Sequence, residues 1–181
     1  MDGHPRLAVA PGETYEYSFR VDDRAGTYWY HSHTDGRTGV HTHRGIAGLI
    51  LVEDPEEEAG LPTGEREIPL ILQDRQFDRS GLPTYPSRGP AMMMGAMGPE
   101  PFANGIHQAS HEVEGAIYRL RILNGATRRI FRLGTSDGRD LTLIGNDWGL
   151  LGQPTSVPWV ELGPAERVDL LLDLRNVGVG E

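Results

Sequence analysis

Alternation of apolar and polar positions runs through most of the 181-residue chain. In TYEYSFRV, residues 14–21, Tyr15, Tyr17, Phe19 and Val21 take every second place, the period of a strand with one buried face. TYWYHSH (27–33) is aromatic and β-prone, and IAGLILVED (46–54) carries an apolar run suited to a buried strand. Further on, EIPLILQDRQFD (67–78), IYRLRILN (117–124), RIFRLGT (129–135), DLTLIGND (140–147), WVEL (159–162) and ERVDLLLDL (166–174) show the same chemistry. The segments NGAT, SDGR, NDWG and ELGPAE punctuate them as turns. Short strands separated by turns at this spacing predict an all-β Greek-key sandwich with little helix.

Between the first strands and the rest lies DPEEEAGLPTGER, acidic and rich in Pro and Gly, and residues 55–65 within it are assigned as a linker. No short internal repeat is evident. Composition narrows the function classes. The net charge is −9 and all 17 basic residues are arginine, spread without a basic block, so nucleic acid is not expected as a partner. No run of 18 apolar residues predicts a membrane span, and MDGHPRLAVA lacks the charged start and apolar core of a signal peptide, so localisation stays open.

The chain has no cysteine, which removes thiol catalysis and every thiolate-ligated metal site. Any metal must then rest on other ligands, and four of the seven histidines fall in two His-x-His pairs. His31 and His33 stand at i and i+2 in a β-prone segment, which puts both imidazoles on one face. Neutral imidazole suits copper, zinc, iron and nickel, but a surface pair near a strand end is equally compatible with polar decoration. His41 and His43 repeat the spacing in a loop-like stretch that either folds back onto the first pair or stays solvated. His4, before Pro5, is read as structural. His107 and His111 form a further candidate pair at i and i+4. Met92, Met93, Met94 and Met97 are either thioether ligands for Cu(I) or an apolar plug between strands. Trp29, Trp148 and Trp159 are assigned to the core. No carboxylate pair, nucleophile elbow or phosphate loop stands out.

GTYWYHSHTDGRTG followed by RGIAGLILVEDP resembles the second copper-binding His-x-His segment of multicopper oxidases of the three-domain, laccase-like bacterial type. MDGHPRLAVAPGETYEYSFRV is similar to the stretch ahead of it. IPLILQDRQFD, YRLRILNGATRRIFRL, SDGRDLTLIGNDWGLL and LGPAERVDLLLDL resemble the second domain, in family order. The resemblance implies cupredoxin-like Greek-key sandwiches: residues 1–54 as the C-terminal part of a first domain, incomplete, and residues 66–181 as a nearly complete second domain. It implies copper as cofactor, with His31 and His33 each binding one copper of a type 3 pair in a centre where dioxygen becomes water.

Several departures from the family pattern shape the expectation. The family's first His-x-His and its last domain, with the cysteine of the type 1 copper, have no counterpart in these 181 residues. Asp35 stands where many relatives have a third histidine, and His41-Thr42-His43 replaces a glutamine followed by apolar residues. A chain of this extent is expected to be inactive alone and to pair through its incomplete first domain, as a homo-oligomer or with a complementing domain. Two alternatives remain: a non-enzymatic copper module in which His31, His33, His41 and His43 share one ion, and a metal-free interaction domain.

Overall fold

The computed structural model describes residues 6, 8–86 and 88–178; His4 lies outside them. Strands β1 (Gly26–His31) and β2 (Ala47–Val52) form an antiparallel pair, with Gly26 opposite Val52 and His31 opposite Ala47. Helix α1 (Thr38–His43) lies in the connection between them. After a 3-10 turn at Gly64–Arg66 comes β3 (Glu67–Arg75), followed by the short helix α2 (Pro90–Met94), β4 (Glu100–Ala103) and β5 (Ile106–His107). The remaining strands are β6 (Ile117–Asn124), β7 (Phe131–Gly134), β8 (Leu141–Asn146), β9 (Gly149–Val157), β10 (Trp159–Leu162) and β11 (Arg167–Asp173).

Seven strands make one sheet in the order β5-β4-β3-β6-β11-β8-β9, and β7 with β10 forms a separate antiparallel ribbon. Only β3 and β6 run parallel; the other pairs of the sheet are antiparallel. The ribbon supplies the second layer. Val160 and Leu162 of β10 and Leu133 of β7 pack on Ile122 of β6, Val168 and Leu170 of β11, and Leu141 of β8. Each such fully buried aliphatic side chain contributes about 1.5–3 kcal/mol through apolar area removed from water.

The opposite face of the sheet is charged where it meets the first segment. In β6 the even positions Leu120 and Ile122 join the core, while Arg119 and Arg121 point the other way and are almost fully buried. Arg119 donates to Asp169 Oδ2 of β11 from both Nη2 (2.6 Å) and Nε (3.2 Å), and to Glu58 Oε1 (2.6 Å). Arg121 donates to Thr27 Oγ1 of β1 (2.9 Å) and Glu67 Oε1 (2.8 Å), and Thr27 Oγ1 donates to Asp169. Burial opposes the charge on Arg119, but its bonds to Asp169 and Glu58 outweigh that and raise its pKa. Ala25 packs with Ile144 and Leu150 beside this network. The acidic segment around Glu58 and β1 are thereby tied to the sheet by charge and hydrogen bonds as well as by apolar contact.

Two local differences from the pattern reading matter. Residues 14–21 form no strand, and all of residues 8–24 are exposed. Their alternation specifies a face to bury, yet no described strand pairs with them, and a lone strand has nowhere to place its backbone groups. The stretch 38–43, expected as a loop, is a helix held from outside: Gln73 Nε2 of β3 donates to Thr42 O (3.0 Å). Its N-terminal residue Arg37 makes no side-chain capping bond.

Candidate metal centre

His31 closes β1, and His33 follows it outside the strand. The rings remain neighbours, with centroids 5.8 Å apart and planes inclined at 40°. Two residues before His31 on the same strand face, Trp29 stacks on its imidazole at 4.4 Å and 22°. His31 Nδ1 lies 2.9 Å from Ser32 O. A carbonyl only accepts, so Nδ1 carries the proton and Nε2 keeps its lone pair. Stacking and this hydrogen bond hold one half-buried imidazole in the tautomer that leaves Nε2 as the acceptor.

His41 approaches from α1. Its Nδ1 is 2.7 Å from Ser32 Oγ, which also lies 3.1 Å from Thr34 Oγ1. The second pair therefore divides: His41 leans on the residue between His31 and His33, whereas His43 turns inward. His43 is 2% exposed, packs edge-on against Tyr85 at 5.6 Å, and its ring nitrogens reach no partner at ordinary hydrogen-bond geometry among the described residues. Burial pushes its pKa below the usual histidine range, and Asp74 and the nearby Thr84 backbone counter this only in part. Asp74 itself accepts Gly98 N–H and Arg129 Nε–H, both at 2.9 Å.

Of the predicted ligands, then, the structure brings His31 and His33 together and leaves His41 one hydrogen bond away. Among the described residues no group of three or more His, Cys, Asp or Glu is placed to hold one ion. His107 instead bonds Glu100 Oε2 at 2.8 Å across the β4–β5 hairpin and lies against Phe102; His111 lies outside any helix or strand. Three participants had not been singled out as parts of the site. Trp29 was assigned to the core, although its i, i+2 relation to His31 already put the two rings on one face; Ser32 and Tyr85 carried no signal in the sequence.

A two-layer β architecture with these features defines the class as cupredoxin-like. The model of the multicopper oxidase family matches residues 1–57. The fold superposes on the McoA multicopper oxidase of Aquifex aeolicus with a TM-score of 0.86 and 41% identity, over 98% of this chain and 40% of that one. A laccase from Pediococcus acidilactici gives a TM-score of 0.88 at 30% identity, over 98% of this chain and 38% of that one. In sequence the chain is 38% identical to the cell division protein FtsP of Xenorhabdus nematophila, over 98% of this chain and 37% of that protein. FtsP of Escherichia coli is 35% identical, over 96% and 37% respectively. Residues 1–57 match the multicopper oxidase pattern and the chain has the fold of those enzymes, over a little more than a third of the length of the curated relatives it matches.

Proposed function

We propose that the chain carries one His-x-His element of a copper centre, with His31 and His33 each holding one copper of a type 3 pair. The observation that supports this most directly is the arrangement at His31, where Trp29 and Ser32 O leave Nε2 as the free donor. A soft, neutral imidazole pair fits copper. Copper held there would pass electrons to dioxygen. The residues of this chain orient the ligands and fix their protons: Trp29 sets the ring plane, Ser32 O holds the Nδ1 proton, and Ser32 Oγ tethers His41.

Two histidines do not complete such a centre, so the chain alone is inactive and the remaining ligands come from other parts of a longer or complementing protein. The division into 1–54, 55–65 and 66–181 belongs to the same proposal. So does the partner: the exposed alternation of residues 14–21 suits a strand from a complementing domain or a second copy. A single ion shared by all four histidines is disfavoured because His43 faces inward. Relatives named cell division protein FtsP support a second reading, a role in cell division.

Metal analysis after dialysis against Cu(II) separates these. The first reading expects retained copper that is lost in His31→Ala and in His33→Ala but kept in His43→Ala. A wild-type chain that holds no copper overturns it and leaves the metal-free reading. Oxidation of a phenol by the purified chain would contradict the claim of inactivity.

A further inference from the structure

The strand that carries His31 ends with it. Ala47 opposite His31 is the last pair of the β1–β2 ladder, so no strand partner holds the backbone of Ser32 and His33. His33 is exposed, yet its ring stands 5.8 Å from that of His31. Fixing an exposed side chain beyond a strand end costs backbone and rotamer freedom, so a constant ring spacing there needs contacts of its own.

Helix α1 supplies them. Thr34 O accepts Arg37 N–H at 3.0 Å and Thr38 Oγ1–H at 3.2 Å. Ser32 Oγ lies 3.1 Å from Thr34 Oγ1 and 2.7 Å from His41 Nδ1. His33 therefore sits between two residues that are each tied to α1, and the shortest of these ties is the one made by His41.

The helix is in turn fixed to the sheet. Gln73 of β3, 4% exposed, donates from Nε2 to Thr42 O at 3.0 Å and to Gly125 O at 3.4 Å, while its Oε1 accepts from Arg75 at 3.2 Å. A Cβ on Gly39 would run into the Tyr85 hydroxyl, so that ring lies directly across the helix. Ile46 N–H donates to His41 O at 3.0 Å just before β2 begins. A continuous path thus leads from Gln73 through Thr42 and His41 to Ser32 and His33. Because Ser32 occupies His41 Nδ1, and no three potential ligands among the described residues converge on one ion position, His41 takes a supporting place and not a ligand's.

We propose that His41 is a positioning residue for the His31–His33 pair: through Ser32 it fixes where the His33 ring stands. As far as metal affinity is concerned this rests on the copper reading of that pair; as far as the ring position is concerned it rests on geometry alone.

Asparagine carries an amide close to where histidine carries Nδ1, so His41→Asn can keep the contact with Ser32 and His41→Ala cannot. Two readouts test the role on the full chain: Cu(II) affinity by competition with a chelator, and NMR of the histidine ring protons without metal. Cu(II) affinity is expected to fall about tenfold or more in His41→Ala and in Ser32→Ala, the effect of losing a group that orients a metal ligand. It recovers in His41→Asn, and His41→Ala/Ser32→Ala loses no more than the weaker single variant, as for two residues acting through one contact. In the metal-free chain the His33 ring signals shift in His41→Ala and return in His41→Asn. All variants melt as wild type does, since both side chains lie outside the apolar clusters.

Unmoved His33 signals in His41→Ala overturn the proposal, whether or not the chain holds copper. Equal loss of Cu(II) in His41→Ala and His41→Asn with none in Ser32→Ala makes His41 a ligand and overturns it as well. A wild-type chain that holds no copper while its His33 signals follow His41 defeats the copper reading alone and leaves the positioning standing.

Discussion

At the level of single residues, the His-x-His spacing was enough to nominate His31 and His33, because a period of two puts both on one face wherever the backbone is extended. The fate of the second pair was not legible. His41 and His43 have the same spacing, but they sit in α1, where i and i+2 point apart by roughly 200°. One reaches Ser32 and the other the interior. His43 then carries a pH consequence. Its pKa is lowered in the fold, so below about 6.5 the unfolded chain takes up a proton that the folded chain resists. Its contribution is therefore intact above that pH and is lost as pH falls toward the lowered folded value. Urea unfolding is expected to show lower stability at pH 5.5 than at pH 7.5, and His43→Gln is expected to lessen the difference. An unchanged difference in the variant would remove His43 as a source.

Among the elements, strands with a strong apolar rhythm were recoverable within a few residues: the 117–124 and 159–162 segments match β6 and β10, and 166–174 closely frames β11. The missed elements have weak local signals. In β9, GLLGQPTSV combines Gly and Pro with an apolar start, and pairing with β8 makes it a strand. Helix α1 contains Gly and β-branched residues, poor helix formers, and contact with β3 supports it. Tertiary partners decided both. One partner contact rests on Gly149, whose φ is 100° and where a Cβ would sit 2.6 Å from Ala25 O. Leu150 N–H donates to that same carbonyl at 3.2 Å. Gly149→Ala is expected to destabilise the chain by about 1–3 kcal/mol through the unfavourable φ and the backbone clash. Hydrogen exchange should show the loss most strongly in β1. A uniform change across all strands would mean that this junction does not hold β1 in place.

For the molecule as a whole, the acidic stretch 54–66 was visible in the sequence, but its partners were not. Glu58 and Glu67 carry no individual signal in the sequence, yet they close over Arg119 and Arg121 together with Asp169. Arginines at alternate positions of an apolar strand are the available clue, since a buried strand tolerates them only when paired. Removing one member of such a network leaves buried charge without a partner, which is why its value here is as a fixed register between β1, the linker and the sheet more than as net stability.

The unpaired segment before β1 has a practical meaning for how assembly can be followed. Arg20 stands in exposed chain outside any helix or strand, open to a protease cleft, while Ala25, Gly26 and Thr27 are buried. Trypsin is expected to cut after Arg20 before it opens the sheet, and mass spectrometry of the early fragments checks this order. A strand laid along residues 14–21 would shield that bond. The segment thereby records, in its rate of cleavage, whether it has found a partner.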